Sequence, residues 1–201
     1  MIARRLPMAF WHNGRRVRMR LHFDRVLRVF ELQKDEVLDP LQKIETSIEM
    51  LVWNWRSLRR AGITEKAEIL KRIFNEFIYP DVAGKAAKKA VVSFTQDAPF
   101  IYAAFMMDYN IDLQRQAGRE SALDWRLFLA LFRGISESTK MREIMNIRAK
   151  PIPRATKYNA EEIKALHEAQ AFYKIRLTER EAYENLQRDI AQIAESLIQG
   201  R

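Results

Sequence analysis

Three residue sets could do chemistry in this 201-residue chain: its histidines, one acidic run and a row of arginines. His12, His22 and His167 share no ligand spacing, so a structural or solvent role outweighs a metal site. His167-Glu168 has the start of a zinc-protease helix, but Ala171 stands where the second histidine belongs. Asp108, Asn110 and Asp112 mimic the first half of a calcium loop. Leu113 replaces its turn glycine and Arg119 its bidentate acid, and the site is rejected. No phosphate-cradling glycine loop, nucleophile elbow or carboxylate pair in an apolar setting occurs. The expectation is a protein without catalytic residues, metal or cofactor, working through surfaces.

The arginines are the strongest polar signal. Net charge is +9, yet residues 1–28 carry eight arginines against Asp24 alone, or +7, leaving +2 for the rest. Arg16, Arg18 and Arg20 alternate with Val17, Met19, Leu21 and Phe23, so an arginine row backs an apolar face. Such a row serves as a solvated face that blunts edge pairing, as a strip for phosphates, or as a contact for an acidic protein. Trp11, Trp53, Trp55 and Trp125 could stack on bases; three lie in apolar patterns that favour core use.

The elements that must hold these residues are mainly helical. Six Gly, six Pro, 48% hydrophobic and 30% charged residues fit a helical protein with a real core. The absence of cysteine excludes disulfides and thiolate metal sites. No run of about 18 apolar residues offers a membrane span, and the basic N-terminus is too broken for a secretory signal. A soluble, intracellular protein is expected.

Residues 6–23 read as a β-hairpin, Pro7–Trp11 and Arg15–Phe23, turned at His12-Asn13-Gly14. Asp24 caps a first helix to about Gln33; Asp39-Pro40 opens a second running towards Trp55. Ala61-Gly62 breaks it, and Thr64 opens a third, stopped by Pro80. In the central stretch 94–149, Asp97 caps a helix with Pro99 in its first turn, Ser121 a helix closed by a left-handed Gly134, and Ser136 a third. Pro151 and Pro153 mark a linker, dividing a hairpin-plus-helix core over 1–150 from 151–201. Asn159, with Glu162 at the capping-box position, opens a helix over Ile163–Ile198, about 40 residues and about 60 Å if unbroken; the alternative is a break near Thr178. Its stripe of Ile163, Leu166, Phe172, Tyr173, Leu177, Leu186, Ile190, Ile193 and Leu197 outruns one domain and invites a second chain.

The strings SFTQDAPFIYAAFMMDYNIDL, LDWRLFLALFRGI and REIMNIRAKPIP, flanked by RMRLHFDRVLRVFEL, DPLQKIETSIEMLV and NAEEIKALHEAQAFY, resemble the bacteriophage gene-product-15 family over roughly 16–175. Two departures stand out: Asn110 where the family tends to have Gly, and Asp124 for a usual His. The motif residues Asp97, Tyr102, Phe105, Tyr109, Asp112, Trp125 and Phe128 are read as caps, turn and packing. The resemblance implies a non-catalytic tail assembly chaperone. It would coat the tape-measure protein in the host cytoplasm in many copies, then yield to tail-tube protein and be absent from the mature virion. A permanent tail or connector component and a nucleic-acid binder are the alternatives.

Overall fold

The computed structural model describes residues 6–35, 37–79 and 91–175. In chain order these form strands β1 (Ala9–His12) and β2 (Arg15–Arg18), then α1 (Phe23–Lys34), α2 (Pro40–Leu51), a 3-10 turn (Trp55–Leu58) and α3 (Ile63–Ile73). A π-helical turn (Phe74–Ile78) extends α3. Then come α4 (Ala98–Tyr109), α5 (Leu113–Gln116), α6 (Trp125–Arg133), α7 (Lys140–Ala149) and α8 (Ala160–Phe172). The chain is mainly helical with an N-terminal antiparallel hairpin. The described residues fall into two compact units: those up to 79 with 116–128, and 91–115 with 129–175.

In the first unit the hairpin turns at Asn13 and Gly14, both at positive φ (45° and 72°), the geometry that favours Asn-Gly. Phe10 pairs with Val17, and both are buried. β2 is shorter than the alternation predicts. After Arg18 the chain makes an isolated bridge from Met19 to Val52 and enters α1 at Phe23. The alternation survives without a strand: Met19, Leu21 and Phe23 are buried. Asp24 lies inside α1, where its Oδ2 accepts from the Gly118 amide at 2.9 Å; His22 occupies the cap position. Asp39 does cap α2, completed into a reciprocal box by Gln42, with Pro40 in the first turn. α2 stops at Leu51 instead of reaching Trp55, and Gly62, not Thr64, holds the cap position of α3.

Trp125, fully buried, is a centre of this unit's core. Its ring meets Phe30 edge-on at 5.8 Å and stacks on Phe128 at 5.5 Å, and its indole N–H donates to the Ile78 carbonyl at 3.3 Å. Backbone bonds from Phe23 to the Leu123 carbonyl and from Trp125 to the Leu21 carbonyl tie residues 116–128 to the start of α1 and the chain just before it. The cap of α6 is Asp124, whose Oδ1 accepts from the Arg126 amide at 2.9 Å, and not Ser121. Asp124 also holds the Arg126 guanidinium through both oxygens at 2.9 Å.

In the second unit α4 packs on α7 and α7 on α8. α4 closes at Asn110, left-handed at φ 52°, with the Ile111 amide reaching back to the Phe105 carbonyl. Asp97 stands at the cap position of α4, its carbonyl accepting from the Ile101 amide at 3.0 Å, but its carboxylate makes no cap hydrogen bond and is engaged elsewhere. α7 is capped by Thr139, whose Oγ1 accepts from Arg142, while Ser136 binds Asp108. Gly134 is not left-handed. A Cβ there would lie 3.1 Å from the Tyr109 hydroxyl, which would have to give by a few tenths of an ångström to admit it. α8 ends at Phe172, and Tyr173 and Lys174 are not helical. The helix opened at Asn159 thus ends at Phe172, and residues 176–198 of the helix expected to run to Ile198 lie outside the described residues. Asn159 stands at its cap position, but its side chain bonds Thr156 and Arg154, and Glu162 faces Lys150 instead of closing a box.

Candidate functional surfaces

Among the described residues no group of three His, Asp or Glu side chains is placed to hold a metal ion, and no helix is long and apolar enough to cross a membrane. The histidines stand apart. His12 is 3.5 Å from Glu68, His22 is buried at the start of α1, and His167 is exposed on α8. The calcium-like acids are structural. Asp108 accepts from the Ser136 amide and hydroxyl at 2.6 and 2.8 Å, and Asp112 from the Arg115 amide at 3.0 Å.

The arginine row divides by geometry. Arg20 is turned to the end of α2, donating to the Glu49 and Met50 carbonyls at 2.5 and 3.1 Å. That position suits a cation, because the last carbonyls of a helix lack intrahelical donors. Burial lowers the Arg20 pKa, Arg25 adds to the effect and Glu120 opposes it. Arg16 and Arg18 remain exposed. The strand register places Trp11 opposite Arg16 and Ala9 opposite Arg18 on one face. Beside β2, the Trp53 amide donates to the Arg18 carbonyl at 2.7 Å, and the Asn54 side chain brackets the strand through the Arg18 amide and Arg16 carbonyl. The Arg18 guanidinium sits 4.2 Å over the Trp53 ring. Trp11 is 67% and Trp53 51% exposed. Their solvent-facing positions run against the core role expected for strand and helix tryptophans.

In the second unit the residues read as a partner stripe diverge. Leu166 is buried, Ile163 and Tyr173 are half-buried, and Phe172 is 80% exposed, packing edge-on to Tyr173 at 4.9 Å. Leu177, Leu186, Ile190, Ile193 and Leu197 lie outside the described residues. Tyr173 also takes the Lys140 ammonium against its ring at 5.7 Å. The Lys140 pKa is raised, chiefly by its hydrogen bond to Glu143.

The second unit also hides an ion pair that sequence reasoning missed. Arg148, 4% exposed, grips both oxygens of Asp97, 1% exposed, at 2.5 and 2.8 Å. Arg148 further donates to the Val91 and Tyr173 carbonyls at 3.0 and 2.6 Å. Asp97 accepts from the Ser93 amide at 2.9 Å. One guanidinium thus fastens the entry to α4, the end of α7 and the chain after α8.

Residues 2–175 match the family model described as Bacteriophage Gp15 protein. The chain belongs to this family. No curated protein and no solved structure gives a match. The family motif can now be placed on the fold. Asp97 supplies the buried carboxylate. Phe105, Trp125 and Phe128 are core residues, Tyr109 donates to the Leu131 carbonyl at 2.9 Å, Tyr102 is half-buried on α4, and Asp112 caps a turn. Asn110 keeps the left-handed turn where the family tends to have Gly, and Asp124 caps α6.

Proposed function

We propose that this protein is a non-catalytic tail assembly chaperone that binds the phage tape-measure protein, in many copies, during tail morphogenesis. The observation that carries the reading is membership of the bacteriophage family over residues 2–175. A chaperone of this kind must shield apolar helical surface reversibly, which needs exposed apolar and aromatic side chains on a stable scaffold. Phe172 at the end of α8, with Ile163 on the helix and Tyr173 just after it partly open, meets that need, while Leu166 serves the chain's own core. The protein acts in the host cytoplasm, gives way to tail-tube subunits and is left out of the virion.

The test is co-expression with the tape-measure protein of the same phage, followed by size-exclusion chromatography with mass detection. A large soluble complex, with tape measure insoluble alone, is the expected result. A tape measure that is soluble and elutes apart refutes the reading. Presence of the protein in purified virions would instead mark a permanent tail component.

A further inference from the structure

We infer that the outer face of the hairpin, Trp11–Arg16–Arg18–Trp53, is a docking surface for a segment of the tape-measure partner in which carboxylates neighbour apolar side chains. The inference rests on the chaperone reading and assigns it a second, separate contact surface. Three observations carry it.

First, the face is built. Trp11 and Trp53 flank the two arginines on adjacent rows, and Arg18 is stacked on Trp53. Backbone and Asn54 bonds fix the rows. Exposed indoles beside arginine are the composition of an interface centre. Second, the charge is unbalanced. Of the arginines in residues 1–28, Arg16 and Arg18 lie on this face, and the α3 carboxylates Glu65 and Glu68 address Arg15 and His12, which the register puts on the opposite face. A partner approaching the outer face supplies the missing carboxylates. Third, the outer edge of the hairpin is partly closed to strand addition, which favours docking through side chains. The outward carbonyls of Pro7, just before β1, and of Trp11 already accept from Arg126 and Arg72 at 2.9 and 2.8 Å.

A nucleic acid is the weaker occupant. With Arg20 committed to α2, the row offers Arg16 and Arg18, and two phosphate contacts correspond to a single-strand salt slope of only about 1.4.

The test uses the full chain co-expressed with the tape-measure protein, comparing wild type with Trp11→Ser/Trp53→Ser and with Arg16→Glu/Arg18→Glu. All four side chains are exposed, so thermal unfolding should stay near wild type. The charge pair provides a second variant should the tryptophan pair misfold. Retained tape measure is expected to fall roughly tenfold or more in both. Retention equal to wild type overturns this inference and leaves the chaperone reading intact. Failure of wild type to bind overturns both. A labelled 20-mer of thymidine bound by wild type and lost in Arg16→Glu/Arg18→Glu, with tape-measure binding unaffected, overturns it in favour of nucleic acid.

Discussion

Replacing Asp97 with alanine strands the Arg148 guanidinium in a site where it is 4% exposed. Breaking a buried pair by removing one partner costs about 3–5 kcal/mol, because the surviving charge is left without compensation. Against the ~5–15 kcal/mol that holds a typical domain together, this is a large fraction. With a urea dependence of about 2 kcal/mol per molar, a loss of about 4 kcal/mol lowers the midpoint by about 2 M. The readout should be local: urea-dependent amide exchange in peptides covering α4 and α7, the two helices the pair joins. The double variant Asp97→Ala/Arg148→Met sharpens the reasoning. It removes the stranded charge but also the donor for the Val91 and Tyr173 carbonyls. Stability should therefore recover only in part, staying about 1–3 kcal/mol below wild type. Two results would refute the argument: Asp97→Ala within about 1 kcal/mol of wild type, or an equal cost of Asp97→Ala whether residue 148 is Arg or Met.

Further outcomes follow from other contacts. Gly134→Ala should be near neutral, since the gain from a stiffer unfolded chain offsets crowding of the Tyr109 hydroxyl. In a Tyr109→Phe background, measured by the same urea method, it should become stabilising, with a coupling of about 1 kcal/mol; no coupling rejects the packing explanation. Asp39→Ala removes a reciprocal cap and should cost about 1 kcal/mol, read as a shift in thermal midpoint. Arg20→Met leaves the Glu49 and Met50 carbonyls without their donor. It should destabilise by about 1–3 kcal/mol while tape-measure binding per folded molecule stays unchanged; lost binding without lost stability would return Arg20 to the docking surface.

What the sequence made legible was chemistry that acts over a few residues. Asn13-Gly14, Asp39-Pro40, Pro99 and Asn110 each fix local backbone geometry, and each stands as expected. Caps were legible only where one candidate was present. Ser121 and Ser136 can cap as well as Asp124 and Thr139, and nothing local chooses between positions three residues apart. Asp97 keeps its cap position but not the side-chain cap, for a different reason: its partner Arg148 is 51 residues away, and a buried guanidinium outcompetes the first-turn amides of α4. The end of α8 at Phe172 has no Gly or Pro to announce it. The hairpin face was half-legible, because alternation exposes Arg16 and Arg18 but does not show that Arg20 turns to a helix end or that Trp53 lies beside them.

The placing of 116–128 in the first unit has a consequence for how the protein is made. Trp125 follows Tyr79 by 46 positions, and at ribosomal speeds the nascent chain waits roughly 2–9 s between them. During that interval Phe30 and the Ile78 carbonyl lack the indole they receive in the finished chain. The first half of the protein is thus translated early but completed late, and its apolar faces are open to host chaperones meanwhile. A fragment ending near residue 79 should stay aggregation-prone, whereas adding residues up to Phe128 supplies the missing ring.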